Sequence, residues 1–215
     1  PMWIRAMYAY PRGLTTEVMQ VMAESEYILP YLDMPLQHMS DSMLRRMRRG
    51  RGGESTLELL RKLRGTIDGL TLRTTFITGL PGETEQDFQE LCDVVEEIRF
   101  ENMGVFVFSP EEGTPAAEMD EQIPTEVAEQ RRDKLMEIQQ RVSAEQQQAM
   151  IGQQVEVLVE GVSEETELLL KGRHRGQAPD IDGITYINDG TASPGDLVTI
   201  EVEDAMNYDL VGGIV

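Results

Sequence analysis

The sequence has a single cysteine, Cys92, among its 215 residues, and only two histidines. One cysteine excludes an internal disulfide, and it also excludes a cysteine-rich zinc or iron–sulfur site built from this chain alone. Basic residues are also scarce, since 19 lysines and arginines stand against 39 acids and give a formal net charge of −20. A protein that coats DNA or RNA normally has the opposite charge, because it must neutralise phosphates.

Long apolar runs are missing as well. No segment approaches the ~18 apolar residues that a membrane-spanning helix needs, and no signal peptide opens the chain, so we expect a cytoplasmic protein without a membrane partner. A hydrophobic content of 40% and a charged content of 27% are typical of a globular protein. Because Pro1 falls within a strand-like segment, we expect the chain to be part of a longer protein.

The first half of the chain alternates apolar, strand-like runs with amphipathic, helical segments. The strand-like segments are residues 2–10, 27–35, 70–79 and 102–109, and the helical segments are residues 14–26, 40–49, 54–67 and 84–98. Strands and helices at this spacing predict parallel βα units, and therefore an open α/β sheet or a partial (β/α) barrel. A polar helix is expected from Pro124 to about Met150, where it links two domains.

After residue 150 the apolar period changes from that of helices to that of strands. The predicted strands are short and separated by turn residues; they cover residues 153–162, 167–172, 185–188, 197–204 and 208–215. They predict a small antiparallel five-stranded β-barrel of the oligonucleotide/oligosaccharide-binding (OB) kind. The expected domains are therefore residues 1–123, a linking helix at 124–150, and the small barrel at 151–215.

The sharpest local signal is FITGLPGE at residues 76–83, which follows a strand and leads into the helix at Thr84. Its glycines leave backbone N–H groups open at the C-terminal edge of the sheet, where α/β folds bind ligands. YLDMPLQHMSD at residues 31–41 ends a second strand at the same edge, and residues 109–115 end a third. Together these segments predict the rim of a pocket. A tight turn with a helix cap is the alternative for each of them, and His38 is then a loop histidine.

Charged residues in unusual places give two further hypotheses. Arg5 lies in an apolar strand, and a buried guanidinium needs an anionic partner, which could be a ligand carboxylate, Asp33 or another acid. The densest basic cluster is either a solvated helix face or a contact to an anionic substrate or another domain; it comprises Arg45, Arg46, Arg48, Arg49 and Arg51.

Cys92 shares one helical face with Phe88, Leu91, Val95 and Ile98. Apolar residues at this spacing form the buried stripe of an amphipathic helix. We therefore predict that Cys92 is a buried core thiol rather than a nucleophile.

Several segments together resemble the radical S-adenosylmethionine methylthiotransferases. They are YLDMPLQHMSDSMLRRMRRG, RTTFITGLPGETEQDFQEL and GVFVFSPEEGTPAA. The tail, from IGQQVEVLVEGV through KGRHRGQAPDIDGITYINDG to SPGD, is similar to the C-terminal TRAM domain of that family. The resemblance covers essentially the whole chain. It implies the later part of a radical-SAM barrel followed by an OB-like TRAM barrel.

The resemblance also implies cofactors: S-adenosylmethionine across the C-terminal ends of the strands, and two 4Fe-4S clusters. The family holds the first cluster through a Cys-x-x-x-Cys-x-x-Cys motif on an earlier segment and the second in an N-terminal domain, and neither motif occurs here. We therefore expect no bound metal, weak S-adenosylmethionine binding and no activity from this chain alone. No catalytic residue is assigned. The candidate cofactor-binding residues are Gln37, Ser40, Thr78, Gly79, Gly82, Phe108 and Ser109, together with Arg5 from the charge argument.

The charge of the tail distinguishes the branch of this family that modifies a ribosomal protein from the branch that modifies tRNA. Residues 151–215 contain 13 acids and three bases, which suits a basic ribosomal protein better than tRNA. The expected function is methylthiolation of an aspartate of a small-subunit ribosomal protein, and the alternatives are a tRNA methylthiotransferase or a non-enzymatic protein-binding module. Open strands at the edge of an incomplete barrel would also favour self-association. The candidate partner-binding residues lie between two predicted strands of the tail; they are His174, Arg175, Asp180 and Asp182.

Overall fold

The computed structural model describes residues 2–50 and 52–215. Pro1, and Arg51 of the basic cluster, lie outside the described residues. The elements in chain order are β1 (Ile4–Ala6), α1 (Thr16–Glu24), β2 (Ile28–Asp33), α2 (Asp41–Arg46), α3 (Gly53–Thr66), β3 (Thr71–Thr78), α4 (Glu85–Ile98), β4 (Asn102–Val107), α5 (Thr125–Gln148), β5 (Gln154–Val162), β6 (Leu170–His174), β7 (Thr185–Asp189), β8 (Leu197–Ala205) and β9 (Leu210–Ile214).

The first sheet contains β1, β2, β3 and β4 in sequence order, and each neighbouring pair is parallel. Parallel strands need a crossover connection, and each connection here contains at least one helix. The pairing of β3 with β4 is the most extensive, running from Arg73 opposite Asn102 to Thr78 opposite Val107. The partial α/β barrel predicted from the sequence is confirmed.

Helices pack against one face of this sheet and enclose the main hydrophobic core. Leu72 and Phe76 of β3 point into this core, which also contains Leu60 of α3, Leu91 of α4 and Leu135 of α5. Because side chains alternate along a strand, Arg73, Thr75 and Ile77 lie on the opposite face and are only partly buried. We call the face of the sheet opposite the helices the inner face.

Helix α4 begins where the sequence predicts it. The Thr84 side chain accepts a hydrogen bond from the backbone N–H of Asp87, and the Asp87 side chain accepts one from the backbone N–H of Thr84. This reciprocal capping satisfies N–H groups that have no partner within the helix. Cys92 is buried on the apolar face of α4, as predicted. Burial raises the pKa of this thiol to about 11.

Helix α5 covers the sheet as well as leading to the second barrel. Leu135, Ile138 and Val142 are buried against the main core. Gln139 is 1% exposed and donates to the backbone oxygen of Phe100 at 2.8 Å. The helix therefore has a narrow buried stripe within a mostly polar sequence, and its packing orients the segment that follows it.

Strands β5 to β9 close a barrel in the order β5-β6-β7-β9-β8. Four of the pairings in this ring are antiparallel, but β7 and β9 are parallel. The sequence prediction of an antiparallel barrel is thus corrected at one pairing. Strand direction can alternate around a closed ring only if the number of strands is even, so the ring of five strands in residues 154–214 requires a parallel pair.

Candidate functional site

The loop after β2 is held against the C-terminal end of β3. The backbone N–H of Gln37 donates to the oxygen of Thr75, and the N–H of Ile77 donates to the oxygen of Gln37, both at 2.8 Å. Gln37 has φ +72°, a conformation that non-glycine residues seldom adopt. Its side chain is partly exposed at the edge of the sheet. This is the position at which the sequence analysis placed a ligand contact.

Glu83 links the loops after β2 and β3. Its carboxylate oxygen Oε2 accepts from the backbone N–H of Gly79 at 2.6 Å and from Nη1 of Arg131 at 2.8 Å. Its other oxygen, Oε1, lies 3.1 Å from Nε2 of His38. The side chains of His38 and Glu83 are fully buried. The buried negative charge is therefore compensated by an arginine from α5 and by two further N–H groups.

A second carboxylate, that of Asp87, accepts hydrogen bonds from hydroxyl groups beside the buried hydrogen bonds of Glu83. Ser40 caps the N-terminus of α2, and its hydroxyl donates to Asp87. Ser42 and Thr84 also donate to that carboxylate. Burial alone would raise the pKa of Asp87, but these hydrogen bonds outweigh it and hold the pKa well below the usual range. Ser40 is 2% exposed, so its hydroxyl is directed at Asp87 rather than at an open surface.

The glycine-rich loop is packed closely against its neighbours. Thr78 donates through its hydroxyl to the backbone oxygen of Ala128 at 2.9 Å, and a Cβ atom at Gly79 would lie only 2.2 Å from the Ala128 side chain. A Cβ atom at Gly82 would lie 2.4 Å from the guanidinium of Arg46. Both glycines have positive φ, at +79° and +78°. At Gly79 close approach and backbone conformation both favour glycine, whereas at Gly82 the requirement comes from the positive φ, because the flexible Arg46 side chain could move aside.

Phe108 and Ser109 extend the same edge beyond β4. The backbone N–H of Phe108 donates to the oxygen of Thr78 at 2.8 Å, which places Phe108 beside the end of β3. Phe108 is partly exposed and Ser109 is exposed. Within β4, Phe106 lies opposite Ile77 on the inner face and is 64% exposed. The predicted residues of the loops after β2, β3 and β4 thus come together, with an open aromatic ring beside them.

Arg5 is placed elsewhere, beneath this edge on the inner face. Its Nη2 donates to the backbone oxygens of His174 and Arg175, at 3.3 and 3.1 Å. Its guanidinium also lies over the rings of Trp3 and Tyr31, at 5.7 and 5.4 Å from the ring centres. Burial, reinforced by the nearby charge of Arg173, lowers its pKa. The direct partners of the Arg5 guanidinium are carbonyl oxygens and aromatic faces, which also accommodate a guanidinium. The acid whose charge favours the charged form of Arg5 is Asp182 and not Asp33.

The basic cluster contributes contacts near the glycine-rich loop. Arg46 donates to the backbone oxygen of Pro81 at 3.3 Å and pairs with Glu121 at 3.0 Å. Arg49 donates to the backbone oxygen of Pro35. These two arginines therefore hold surrounding loops, while the pairing of exposed Arg46 with Glu121 contributes little stability by itself.

Asp182 connects the small barrel to the sheet. Its carboxylate is 1% exposed and accepts from the Tyr31 hydroxyl, from Nη1 of Arg73 and from the backbone N–H of Ala178, at 2.6, 2.6 and 2.8 Å. Ala178 packs with Leu29 and Tyr31 on the inner face. We call Asp182, Tyr31 and Arg73 the interdomain anchor. In this arrangement the Asp182 carboxylate is buried, and its hydrogen bonds join the small barrel to the sheet.

Two of the other three candidates for partner binding, His174 and Arg175, line the same cleft. His174 accepts from the backbone N–H of Gly176 through Nδ1, and burial lowers its pKa to about 4. It lines a cleft of about 620 Å³ at the N-terminal edge of the sheet, opposite the edge described above. Arg175 pairs with Glu156 at 2.6 Å, and Asp180 is exposed. The assignment of His174, Arg175, Asp180 and Asp182 to partner binding stays a prediction.

The sequence alone did not reveal the central residues of the buried hydrogen-bond network around Glu83. Glu83 belongs to the FITGLPGE signal, but nothing local indicates its partner, Arg131, which lies 48 positions later. Ala128 was missed for the same reason. A buried carboxylate near the glycine loop could have prompted a search for a basic residue in α5, because such a charge needs a partner.

Metal ligands are not brought together in the part of the chain that the structure describes. Residues 2–50 and 52–215 contain no group of three or more histidine, cysteine or acidic side chains that could hold a metal ion. Cys92, the sole cysteine of the sequence, is buried in a helix core. The residues present therefore do not fit a cysteine-bound iron–sulfur cluster. No helix within these described ranges is long and apolar enough to cross a membrane.

Comparison with known families defines the class of protein. The Radical SAM superfamily model matches residues 4–95, and the TRAM domain model matches residues 151–215. The solved structure of coproporphyrinogen III oxidase (HemN) from Escherichia coli, a radical SAM enzyme, has a TM-score of 0.53 at 14% identity, covering 80% of this chain and 46% of that one. At this identity the likeness concerns the fold alone. The chain joins a radical SAM region to a TRAM domain, as its sequence predicted.

Several curated proteins that are similar to this chain share one name. The ribosomal protein uS12 methylthiotransferase RimO of Anaeromyxobacter sp. (strain Fw109-5) is 58% identical over 99% of this chain and 45% of its own length. The RimO proteins of Myxococcus xanthus (strain DK1622) and Bdellovibrio bacteriovorus (strain ATCC 15356 / DSM 50701 / NCIMB 9529 / HD100) are 52% and 47% identical, also over 99% of this chain and over 45% and 47% of their own lengths. The chain spans about half the length of the curated relatives that it matches.

Proposed function

We propose that this chain is the cofactor-facing and docking part of a radical S-adenosylmethionine methylthiotransferase that modifies an aspartate of a small-subunit ribosomal protein. The observation that carries the proposal is the 58% identity to a uS12 methylthiotransferase over 99% of the chain. With a reduced iron–sulfur cluster, S-adenosylmethionine supplies the radical that removes hydrogen from the substrate carbon, and it supplies the methyl group. The cluster ligands must come from residues other than those described.

The C-terminal edge of the sheet suits the adenosine part of S-adenosylmethionine. Phe106 offers an open aromatic face beside Ile77, and Gln37 offers a partly exposed amide. Aromatic stacking with a few placed polar groups is a common way to hold a flat heterocycle. We propose that Gln37, Phe108 and Ser109 contact the cofactor. Ser40, Thr78, Gly79 and Gly82 would then shape the edge through the packing described above, and the proposed cofactor contact of Arg5 has the least support from its position.

The acidic barrel is proposed to dock the basic ribosomal protein. Its three bases, Lys171, Arg173 and Arg175, each form an ion pair with a glutamate of the same barrel. The remaining acids therefore give a negative surface, which favours a basic partner by long-range attraction and disfavours the phosphates of tRNA. The proposed boundaries follow from this division of roles: 1–123 for the radical SAM part, 124–150 for the connecting helix and 151–215 for docking. The cytoplasmic location stays a prediction.

Titration with S-adenosylmethionine tests the cofactor edge. We expect weak binding, with NMR shift changes concentrated at Gln37, Ile77, Phe106 and Ser109, because the cluster that normally anchors the methionine part is not supplied by this chain. Calorimetry should agree. A micromolar Kd would contradict the placement of the main anchor outside these residues, and shifts confined to other parts of the chain would contradict the proposed edge.

A separate binding experiment tests the partner. The basic ribosomal protein uS12 should be retained by the immobilised chain at low salt and released as salt rises, because charge attraction is screened. Tight, salt-sensitive retention of tRNA instead would favour a tRNA methylthiotransferase. Light scattering of the chain alone tests the proposed self-association through the open edges of the first sheet, and a monomer would contradict it.

A further inference from the structure

We propose that His38 is a positioning residue that fixes the distance between the loops after β2 and β3 at the cofactor edge. The inference rests on the proposed function, because it gives this buried ring a role in cofactor binding. The loops are residues 34–40 and 79–84, and each contributes candidate cofactor contacts.

One nitrogen of His38 holds its own loop. Nδ1 accepts from the backbone N–H groups of Met39 and Ser40, at 2.9 and 3.0 Å. A nitrogen that accepts two N–H groups carries no proton, so in a neutral imidazole the proton lies on Nε2. The ring is 0% exposed, and no rotation can exchange these partners for water without opening the site. The tautomer is thus dictated by the two backbone donors.

The other nitrogen of His38 reaches the second loop. Nε2–H donates to Oε1 of Glu83 at 3.1 Å, and Oε2 of the same carboxylate accepts from the N–H of Gly79 at 2.6 Å. Arg131 fixes the carboxylate from the far side, since it donates to both Oε2 and the backbone oxygen of Glu83, at 2.8 and 3.0 Å. The chain of contacts from Ser40 through His38 and Glu83 to Gly79 therefore crosses from one loop to the other through fully buried groups.

The position of this chain in the fold gives it a functional consequence. His38 follows Gln37 directly, and Gly79 follows Thr78, so the bridge ties together the backbones on both sides of the proposed cofactor surface. A displacement of about 1 Å at a binding or reacting group can cost a large factor in rate. Side chains locked by their own hydrogen bonds provide the precision that such a site needs. The bridge therefore does more than fill the core.

Two substitutions of His38 test the contacts of its two ring nitrogens separately. His38→Gln places an amide nitrogen near the position of Nε2 and preserves the donor to Glu83, whereas His38→Asn places an oxygen near the position of Nδ1 and preserves only the contact within the first loop. The probe is S-adenosylmethionine, and the measured quantity is the initial slope of the amide shifts of Gly79 and Phe106 against its concentration. We expect His38→Gln to stay within threefold of the unsubstituted chain and His38→Asn to fall at least fivefold.

A matched control comes from Gln139, another buried polar side chain, which donates to the backbone before β4 and to neither loop. Gln139→Met should lower thermal stability without lowering the slope. Equal slopes for both His38 variants, or a loss confined to His38→Gln, would overturn the inference. If S-adenosylmethionine shifts amide signals elsewhere in the unsubstituted chain, the proposed function fails. The positioning role of His38 is then tested by the hydrogen-exchange experiment alone.

Hydrogen exchange tests the same bridge in the unsubstituted chain, so the result does not depend on whether a variant folds. If the bridge couples the loops, the amides of Met39, Ser40 and Gly79 should open together with one free energy, because a cooperative unit exchanges as a whole. Opening free energies for Gly79 and Ser40 that respond differently to denaturant would overturn the inference. This measurement stands whether or not S-adenosylmethionine binds.

Discussion

Replacing Arg131 by methionine should strongly destabilise the sheet. Arg131 is 9% exposed, pairs with the fully buried carboxylate of Glu83 at 2.8 Å, and lies over the ring of Phe88 at 5.4 Å. Methionine preserves much of the apolar stem but leaves the carboxylate buried without its cation. Removing one partner of a buried ion pair typically costs ~3–5 kcal/mol of the free energy of unfolding. At ~2–4 °C per kcal/mol for a chain of this size, the melting temperature should fall by about 6–20 °C.

The control lies on the same helix. Arg141 pairs with Glu96 at 2.8 Å, the same distance, but both side chains are 55% exposed. Arg141→Met should therefore cost at most ~1 kcal/mol. The double variant Arg131→Met/Glu83→Gln should recover part of the loss, because no uncompensated charge remains. Scanning calorimetry measures all four chains, and equal losses for the two arginine variants would refute the argument from burial.

Three further predictions follow from buried groups. Asp182→Ala should cost about 1–3 kcal/mol, since it removes the acceptor of three buried hydrogen bonds and leaves Arg73 only the more distant Asp33, at 3.9 Å. Hydrogen exchange should accelerate at residues 175–184 while the amides of β5 and β8 keep their protection. Because burial lowers the pKa of His174 to about 4, the unfolded chain takes up this proton first, and stability should fall on acidification from about pH 6.5, by roughly 2 kcal/mol at pH 5. His174→Asn should remove that dependence in urea titrations, and an unchanged pH profile would contradict it. Because the pKa of Asp87 is held low, the free energy of unfolding that its carboxylate contributes should be constant above about pH 5 and lost as the pH falls below about 4. The difference in stability between the unsubstituted chain and Asp87→Asn should therefore shrink only below about pH 4.

Local signals in the sequence predicted the elements well. Thr84 and Asp87 form the reciprocal cap, although aspartate replaces the usual glutamate at the third position, and Ser40 caps α2. The apolar stripe that contains Cys92 is buried as expected. These features depend on residues two to four positions apart, so the spacing along the chain contains the information.

Features that depend on distant partners were not predictable in the same way. Glu83 and Arg131 are separated by 48 positions, and Tyr31 and Asp182 by 151. A single sequence gives no pattern that joins them, since nothing near either partner in the chain indicates that the fold will bury the two side chains together. The predicted strand at residues 167–172 was displaced for a more local reason: Ser163 and Thr166 organise a turn, and β6 begins only at Leu170.

The parallel pairing of β7 with β9 has a consequence for synthesis of the chain. β9, at Leu210–Ile214, is inserted between β7 and β8, which precede it. Until a ribosome has released this stretch, both neighbours present unpaired edges, and such edges recruit other chains. A chain truncated before Leu210 would therefore expose the edges of both β7 and β8 and would tend to associate with other chains.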